Sequence, residues 1–255
     1  MIKFFRKIRQ NLLMQNLPTG LAGKRSKYFT YAIGEIMLVV IGILIALQIN
    51  NWNQQKNNQQ KLKQFLVEFK EELRLNIKDF KIDSVTIEKQ KEIKDKLLKN
   101  NQLDTVPIKS LERQIETSYL NVGYSPTLLK RFENSQITNY GKYDSIFLSL
   151  QEFYGFSWPE LKEDLNKHND AVDMQDAFWR YQQNTYELKY ISNDATFIKD
   201  STFRKNELIK LIKSPVVRNI LKTDYRTKNV FIRRLTGCIR RAEKLLKQIN
   251  EVLKD

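Results

Sequence analysis

The chain has 255 residues, a formal net charge of +15, and only eight glycines, five prolines and one cysteine. So few turn-forming residues exclude a β-rich or glycine-loop nucleotide-binding architecture and favour long helices. The lone thiol, Cys238, excludes an internal disulfide and reads as a core residue rather than a nucleophile.

Residues 1–30 carry Lys3, Arg6, Lys7, Arg9, Lys24, Arg25 and Lys27 and no acid. Within IKFFRKIRQNLL, Phe5, Ile8 and Leu12 share one helical side while Lys3, Arg6, Lys7 and Arg9 lie elsewhere. An amphipathic leader of this kind lies in the plane of a bilayer, its apolar side inserted and its cations against anionic lipid. PTGLAGKRS, which follows, lacks the G-x-x-x-x-G-K-[ST] spacing of a phosphate loop and reads as a turn.

Ala32 to Ile49, AIGEIMLVVIGILIALQI, is the one stretch apolar and long enough to cross a bilayer. A span takes about 20 residues for roughly 30 Å of hydrocarbon, and Phe29 and Trp52 supply aromatic borders. Asn50 to Gln60 holds only Lys56, so the positive-inside rule places the N-terminus in the cytoplasm and the rest of the chain beyond the membrane. QINNWNQQ offers no small-x-small cleavage site, which makes the segment an uncleaved signal anchor. Glu35, Val39, Gly42, Ala46 and Ile49 fall on one helical face. Gly42 and Ala46 form a small-xxx-small pair through which a second helix approaches closely. Three readings of Glu35 stand side by side: a carboxylate snorkelling to the headgroups, a buried group in a helix interface, or a proton carrier.

FFRKIRQNLL followed by KYFTYAIGEIMLVVIGILIALQINNWN resembles the N-terminal signature of a bacterial family of single-span membrane proteins of unknown function. The resemblance covers roughly residues 1–53 and rests on Gly34, Glu35, Gly42, Gln48, Asn50, Asn51 and Trp52, which a generic anchor does not require. The linker NLPTGLAGKRSK is longer than the family pattern implies. A short leader, one span and a helical extracytoplasmic region are what the resemblance implies, with no activity attached.

Beyond the span, Leu62, Leu66, Phe69, Leu73, Asn76 and Phe80 recur at alternating four- and three-residue steps, a heptad seam widened by Phe65, Ile77, Ile87, Leu97 and Leu98. Asn100 to Pro107 breaks the pattern, and a short helix is expected over Ser110 to Leu120. Ser125 and Pro126 open another that ends near Asn134, and Asp144 or Ser145 opens the next. Ser157-Trp-Pro159 reads as the cap of a helix running from Glu160 to Tyr190. The tyrosines 119, 124, 140, 143 and 154 cluster in this middle part, as core filling or as a ligand groove. Asp170, Asp173 and Asp176 stand three apart near His168, the only histidine. Such spacing is compatible with a hard cation, but on a solvated helix it reads as surface, and no metal site is assigned. Ser214-Pro215 caps a last helix whose Phe231, Leu235, Cys238, Ala242, Leu245, Ile249 and Val252 form a second seam, with Gly237 a possible bend. The two seamed helices are expected to pack antiparallel.

The expected fold class is all-α: a basic cytoplasmic leader (1–30), a transmembrane helix (31–52) and an elongated helical extracytoplasmic domain (53–255) with coiled-coil-like long helices. Arg204 to Lys247 holds fourteen basic residues against Glu207, Asp224 and Glu243. Lipid headgroups, acidic polymers or an acidic protein are the partners such a block fits outside the cytoplasm, beside the bland alternative of a solvated helix face. The lipid bilayer and a second copy or another membrane protein are the expected partners, with no nucleic acid and no cofactor. No serine, cysteine, histidine or glycine-loop arrangement supports an enzyme. The expected function is a membrane-anchored structural or scaffold protein of the bacterial envelope. The alternative is an extracytoplasmic sensor or ligand-binding module signalling through its anchor helix. The residues expected to matter are Glu35, Gly42 and Ala46 at a helix interface, with Lys3, Arg6, Lys7, Arg9 and Trp52 at the membrane surface.

Overall fold

A computed structural model describes residues 21–123, 127–188 and 197–254. Among them there is no strand. The α-helices are α1 (Leu21–Lys99), α2 (Ile108–Ile115), α3 (Thr127–Glu133), α4 (Asp144–Glu152), α5 (Trp158–Ala177), α6 (Ser201–Lys213) and α7 (Pro215–Val252). Residues 1–20 of the leader, the turn at Ser125 and Pro126 and the expected helix end at Tyr190 lie outside the described residues. The turn expected over PTGLAGKRS is instead helical from Leu21 onward, where α1 begins.

The chain divides into two compact units, Met1–Asn58 and Gln59–Asp255. In the first, α1 contains a window of mean hydropathy 2.5 in which no residue is buried. Ile36, Met37, Ile43, Leu44 and Leu47 are all more than half exposed. This stretch is long and apolar enough to cross a bilayer.

The second unit builds its own core. From Leu62 onward the seam of α1 is covered: Leu62, Leu66, Phe69 and Leu73 are fully buried. They meet Phe231, Leu235, Cys238, Ala242, Leu245 and Ile249 of α7 in one cluster. The helices run antiparallel, as polar contacts along their length fix: Arg218 to the carbonyl of Leu98 at 3.2 Å, Lys91 to Asn229 at 3.4 Å, Lys81 to Glu243 at 2.7 Å. α3 and α4 close the cluster with aromatic side chains. Phe132 stacks on Phe147 with ring centroids 4.5 Å apart, and Phe80 stacks on Trp158 at 5.9 Å. Offset stacks and edge contacts of this kind add about 1 kcal/mol each beyond the area they bury. Of the expected tyrosines, Tyr143 and Tyr154 are buried in the core, Tyr140 packs against it, Tyr119 is at the surface, and Tyr124 lies outside the described residues.

Several expected boundaries differ. The short helix before residue 120 starts earlier and ends at Ile115, with Pro107 at its N-cap and an extended segment after it. Ser157 does not cap a helix: its backbone is helical and its side chain makes no cap bond. Instead, α4 runs into α5 through a π turn, Phe153–Ser157, and Pro159 is tolerated because first-turn N–H groups need no intrahelical partner. The five-residue turn buries both Phe153 and Tyr154 and leaves Phe156 outside. α5 stops at Ala177 and a second π turn, Phe178–Gln182, ends the run. α6 is an addition, capped by Asp200 Oδ1 accepting from the amides of Thr202 and Phe203. The cap of α7 is as expected, Ser214 Oγ accepting from the amide of Val217, and α7 passes through Gly237 without a break.

Candidate functional site

A second apolar cluster gathers Leu97, Leu103, Leu111, Trp179, Leu208 and Leu221. Between the two clusters, at the same level of α1, α5 and α7, lies a buried polar layer of Lys94, His168, Asp224 and Lys228, each no more than 2% exposed. Lys228 Nζ donates to both carboxylate oxygens of Asp224 at 2.9 Å, one turn apart on α7. Lys94 Nζ donates to the carbonyls of Gln114 (2.7 Å) and Glu116. His168 Nε2 donates to the carbonyl of Ser118 at 3.1 Å, and in the neutral ring Nδ1 accepts from the Thr227 hydroxyl at 2.8 Å. Asn169 next to it holds both the amide (2.9 Å) and the carbonyl (3.0 Å) of Leu120. The extended segment after α2 is therefore strapped to the helices by side chains that take up its backbone groups, which a buried chain without sheet partners requires.

The electrostatics follow from burial. Loss of solvent lowers the Lys94 ammonium to about 8, with Asp224 pulling it back up and Lys228 pushing it down. Burial likewise lowers His168, opposed by its bond to Ser118, so the ring is neutral at neutral pH. Lys94 and Lys228 share the influence of a single carboxylate, Asp224, so a slip of α7 on α1 that parted them would leave buried charge uncompensated, and the register is costly to change. The layer thus fixes the antiparallel register and holds the strap.

A second buried network sits beneath a surface cleft. Arg204 Nη2 donates to Glu112 Oε1 at 2.7 Å and to the Tyr186 hydroxyl at 3.2 Å, while Tyr186 donates to the same Glu112 oxygen at 2.5 Å. Burial, with Glu112 beside it, pushes the Tyr186 phenol well above its usual range. Among the described residues Arg204 Nε is buried without a partner. The cleft above encloses about 840 Å³ and is lined by Trp179, Tyr186, Lys199, Phe203 and Arg204 among others.

Of the residues expected from the sequence, Glu35, Gly42 and Ala46 lie in α1 and are exposed in the chain, and a Cβ at Gly42 would meet nothing within 4 Å. Trp52 is 62% exposed, with Lys56 Nζ 5.6 Å from its ring centre. Lys3, Arg6, Lys7 and Arg9 lie outside the described residues. The aspartates of α5 do not converge: Asp173 accepts from Tyr119, Asp176 pairs with Arg180 at 2.6 Å, and His168 is in the interior. Among the described residues no group of histidine, cysteine or carboxylate side chains is placed to hold a metal. Cys238 is buried, its thiol raised to about 11 by desolvation and near the Ser157 carbonyl at 3.5 Å. The polar layer went unread, although its signal was present. Continuing the four-three steps of α7 backward from Phe231 lands on Lys228 and Asp224, and one heptad past Ile87 on α1 lands on Lys94.

Helices throughout, one of them apolar enough to span a membrane, define an all-α protein with a candidate membrane helix near its N-terminus. The chain belongs to a family of unknown function (DUF6090), whose model matches residues 35–215. That match opens at Glu35 and closes at the first residue of α7. Comparison with curated proteins and with solved structures found no match.

Proposed function

We propose that the chain is a membrane-anchored structural or scaffold protein of the bacterial envelope, without catalytic activity, that associates with a second copy or with another membrane protein. The observation that carries this reading is the exposure of the whole apolar window of α1, beside a second unit that already has a complete core of its own. A water-soluble domain leaves few large apolar side chains uncovered, so this window needs lipid and a helix partner as its surroundings. The charge difference across it supports an N-terminus in the cytoplasm and the second unit in the periplasm. Packing between membrane helices depends on close backbone approach, since lipid tails are as apolar as leucine. The face of Glu35, Gly42 and Ala46 is where that approach is easiest.

The test is crosslinking and copurification of the full chain in a mild detergent. Gly42→Ile should abolish association and Ile45→Leu should leave it intact, with insertion unchanged in both. Equal behaviour of the two variants would remove the helix-interface reading. The cleft over Arg204 favours a second reading, a ligand-binding module, because it combines a buried guanidinium with aromatic walls. Ligand-dependent protection of Phe203 and Trp179 from solvent would favour that reading.

A further inference from the structure

The cleft over Arg204 has the size of a small-molecule site, about 840 Å³, and is walled by Trp179, Tyr181 and Phe203, with Lys199 beside them. Tyr181 is 82% exposed and Phe203 43%, so two aromatic rings are open to whatever enters. The carboxylates that line or underlie the cleft are engaged. Glu112 accepts from both Arg204 and Tyr186, whose raised phenol keeps its proton. Glu207 is held by Lys210 at 2.6 Å, and Glu187 accepts from the amide of Ile198 at 2.9 Å. The donors are less fully used. Among the described residues every hydrogen bond of the Arg204 guanidinium runs through Nη2, to Glu112, to the Tyr186 hydroxyl and to the Glu187 carbonyl. Nε and Nη1 are left over, on a side chain only 7% exposed. The rings of Phe197 and Tyr186, 3.3 and 5.4 Å from Cζ, hold the guanidinium flat, so its free edge is fixed in direction. A buried charged donor without an acceptor is costly, and its retention implies an acceptor from outside the chain. Lys199 Nζ lies 5.6 Å from the Phe203 ring centre and forms no ion pair among the described residues.

We infer that the cleft binds a small organic carboxylate with a flat apolar body, the carboxylate accepting from Arg204 Nη1 and Lys199 Nζ and the body lying against Phe203 and Tyr181. The charge balance selects a single negative charge. Arg204 is matched by Glu112 and Arg180 by Asp176, each within 2.7 Å, which leaves Lys199 as the cation of the lining without a partner. A doubly charged phosphate would set excess negative charge beside Glu187 and Glu207, and like charges brought together out of water repel. This assignment rests on the ligand-binding reading of the cleft and names the class of molecule it takes.

The full chain in lipid discs is titrated with phenylacetate and, separately, with phenylacetamide, its uncharged counterpart. Tryptophan emission reports binding, with Trp179→Phe and empty discs as blanks. Phenylacetate should bind saturably, and phenylacetamide roughly 10- to 150-fold more weakly, the worth of one hydrogen bond to a charged group. Lys199→Gln should weaken phenylacetate and leave phenylacetamide unchanged, whereas Phe203→Ala should weaken both. Both residues are exposed and at the rim, so these variants keep the fold that Arg204→Lys, which touches the pair with Glu112, puts at risk. Equal binding of the two probes, with both weakened by Phe203→Ala, overturns the carboxylate assignment while the ligand-binding reading stands. Binding of neither probe, or binding that Lys199→Gln and Phe203→Ala leave untouched, overturns both.

Discussion

Replacing Asp224 with asparagine keeps the shape of the polar layer and removes its negative charge. Lys228 is 1% exposed and Asp224 fully buried, with the ammonium 2.9 Å from both carboxylate oxygens, so the variant leaves a buried cation without a counter-charge. Breaking a buried pair in this way costs about 3–5 kcal/mol. Lys94 loses the same carboxylate, which removes the influence that raises its ammonium, so the variant acts on both lysines. For a unit of this size about 4 kcal/mol lowers the melting midpoint by roughly 8–16 °C. Circular dichroism of the full chain in mild detergent, through thermal and denaturant unfolding, measures this. The double variant Asp224→Leu with Lys228→Met removes both charges and should recover most of the loss, to within about 2 kcal/mol of the parent. An Asp224→Asn variant that melts with the parent, or a double variant whose loss equals the sum of the singles, would refute the account of the layer as a mutually dependent charge pair.

The same layer makes stability depend on pH. His168 is lowered by burial, so the unfolded chain binds its proton first, and stability should fall as pH drops through and below the ordinary histidine value; His168→Gln should flatten that slope in denaturant titrations at pH 7 and pH 5. Lys94 acts in the same sense at higher pH: unfolded, it keeps its proton up to about 10.5, while folded it releases it near 8, so stability should rise with pH between those values and this rise should vanish in Lys94→Met. Leu66→Asp and Leu245→Asp each put a carboxylate into the cluster shared by α1 and α7, and each should lower stability by several kcal/mol in the same unfolding assay. Unchanged melting of both would mean that these faces are not buried in solution.

The scarcity of turn-forming residues determined the all-α class, one continuous apolar run the helix near the N-terminus, and periodicity the two seams. The seams depend on where apolar side chains recur, and burial acts on every such recurrence in the same direction. Leu62, Leu66, Phe69 and Leu73 are buried for the reason their spacing announces, and so are Phe231, Leu235 and Cys238. Ser214-Pro215 was legible because a helix start needs only local groups, a side-chain acceptor and a residue without an N–H. Tertiary structure decided the rest. Ser157-Trp-Pro159 looks like the same signal, but α4 and α5 pack on one core continuously and the chain passes through as a π turn, with Ser157 turned inward toward Arg241. The extended strap after α2 has no local signature, since its backbone bonds go to Lys94, His168 and Asn169 from two different helices. Lys94, Asp224 and Lys228 occupy seam positions where charge normally argues against burial. Only the packing of α1, α5 and α7 shows that they satisfy one another there, because the free energy of a buried charge is set by its neighbours in space and not by its place in a repeat.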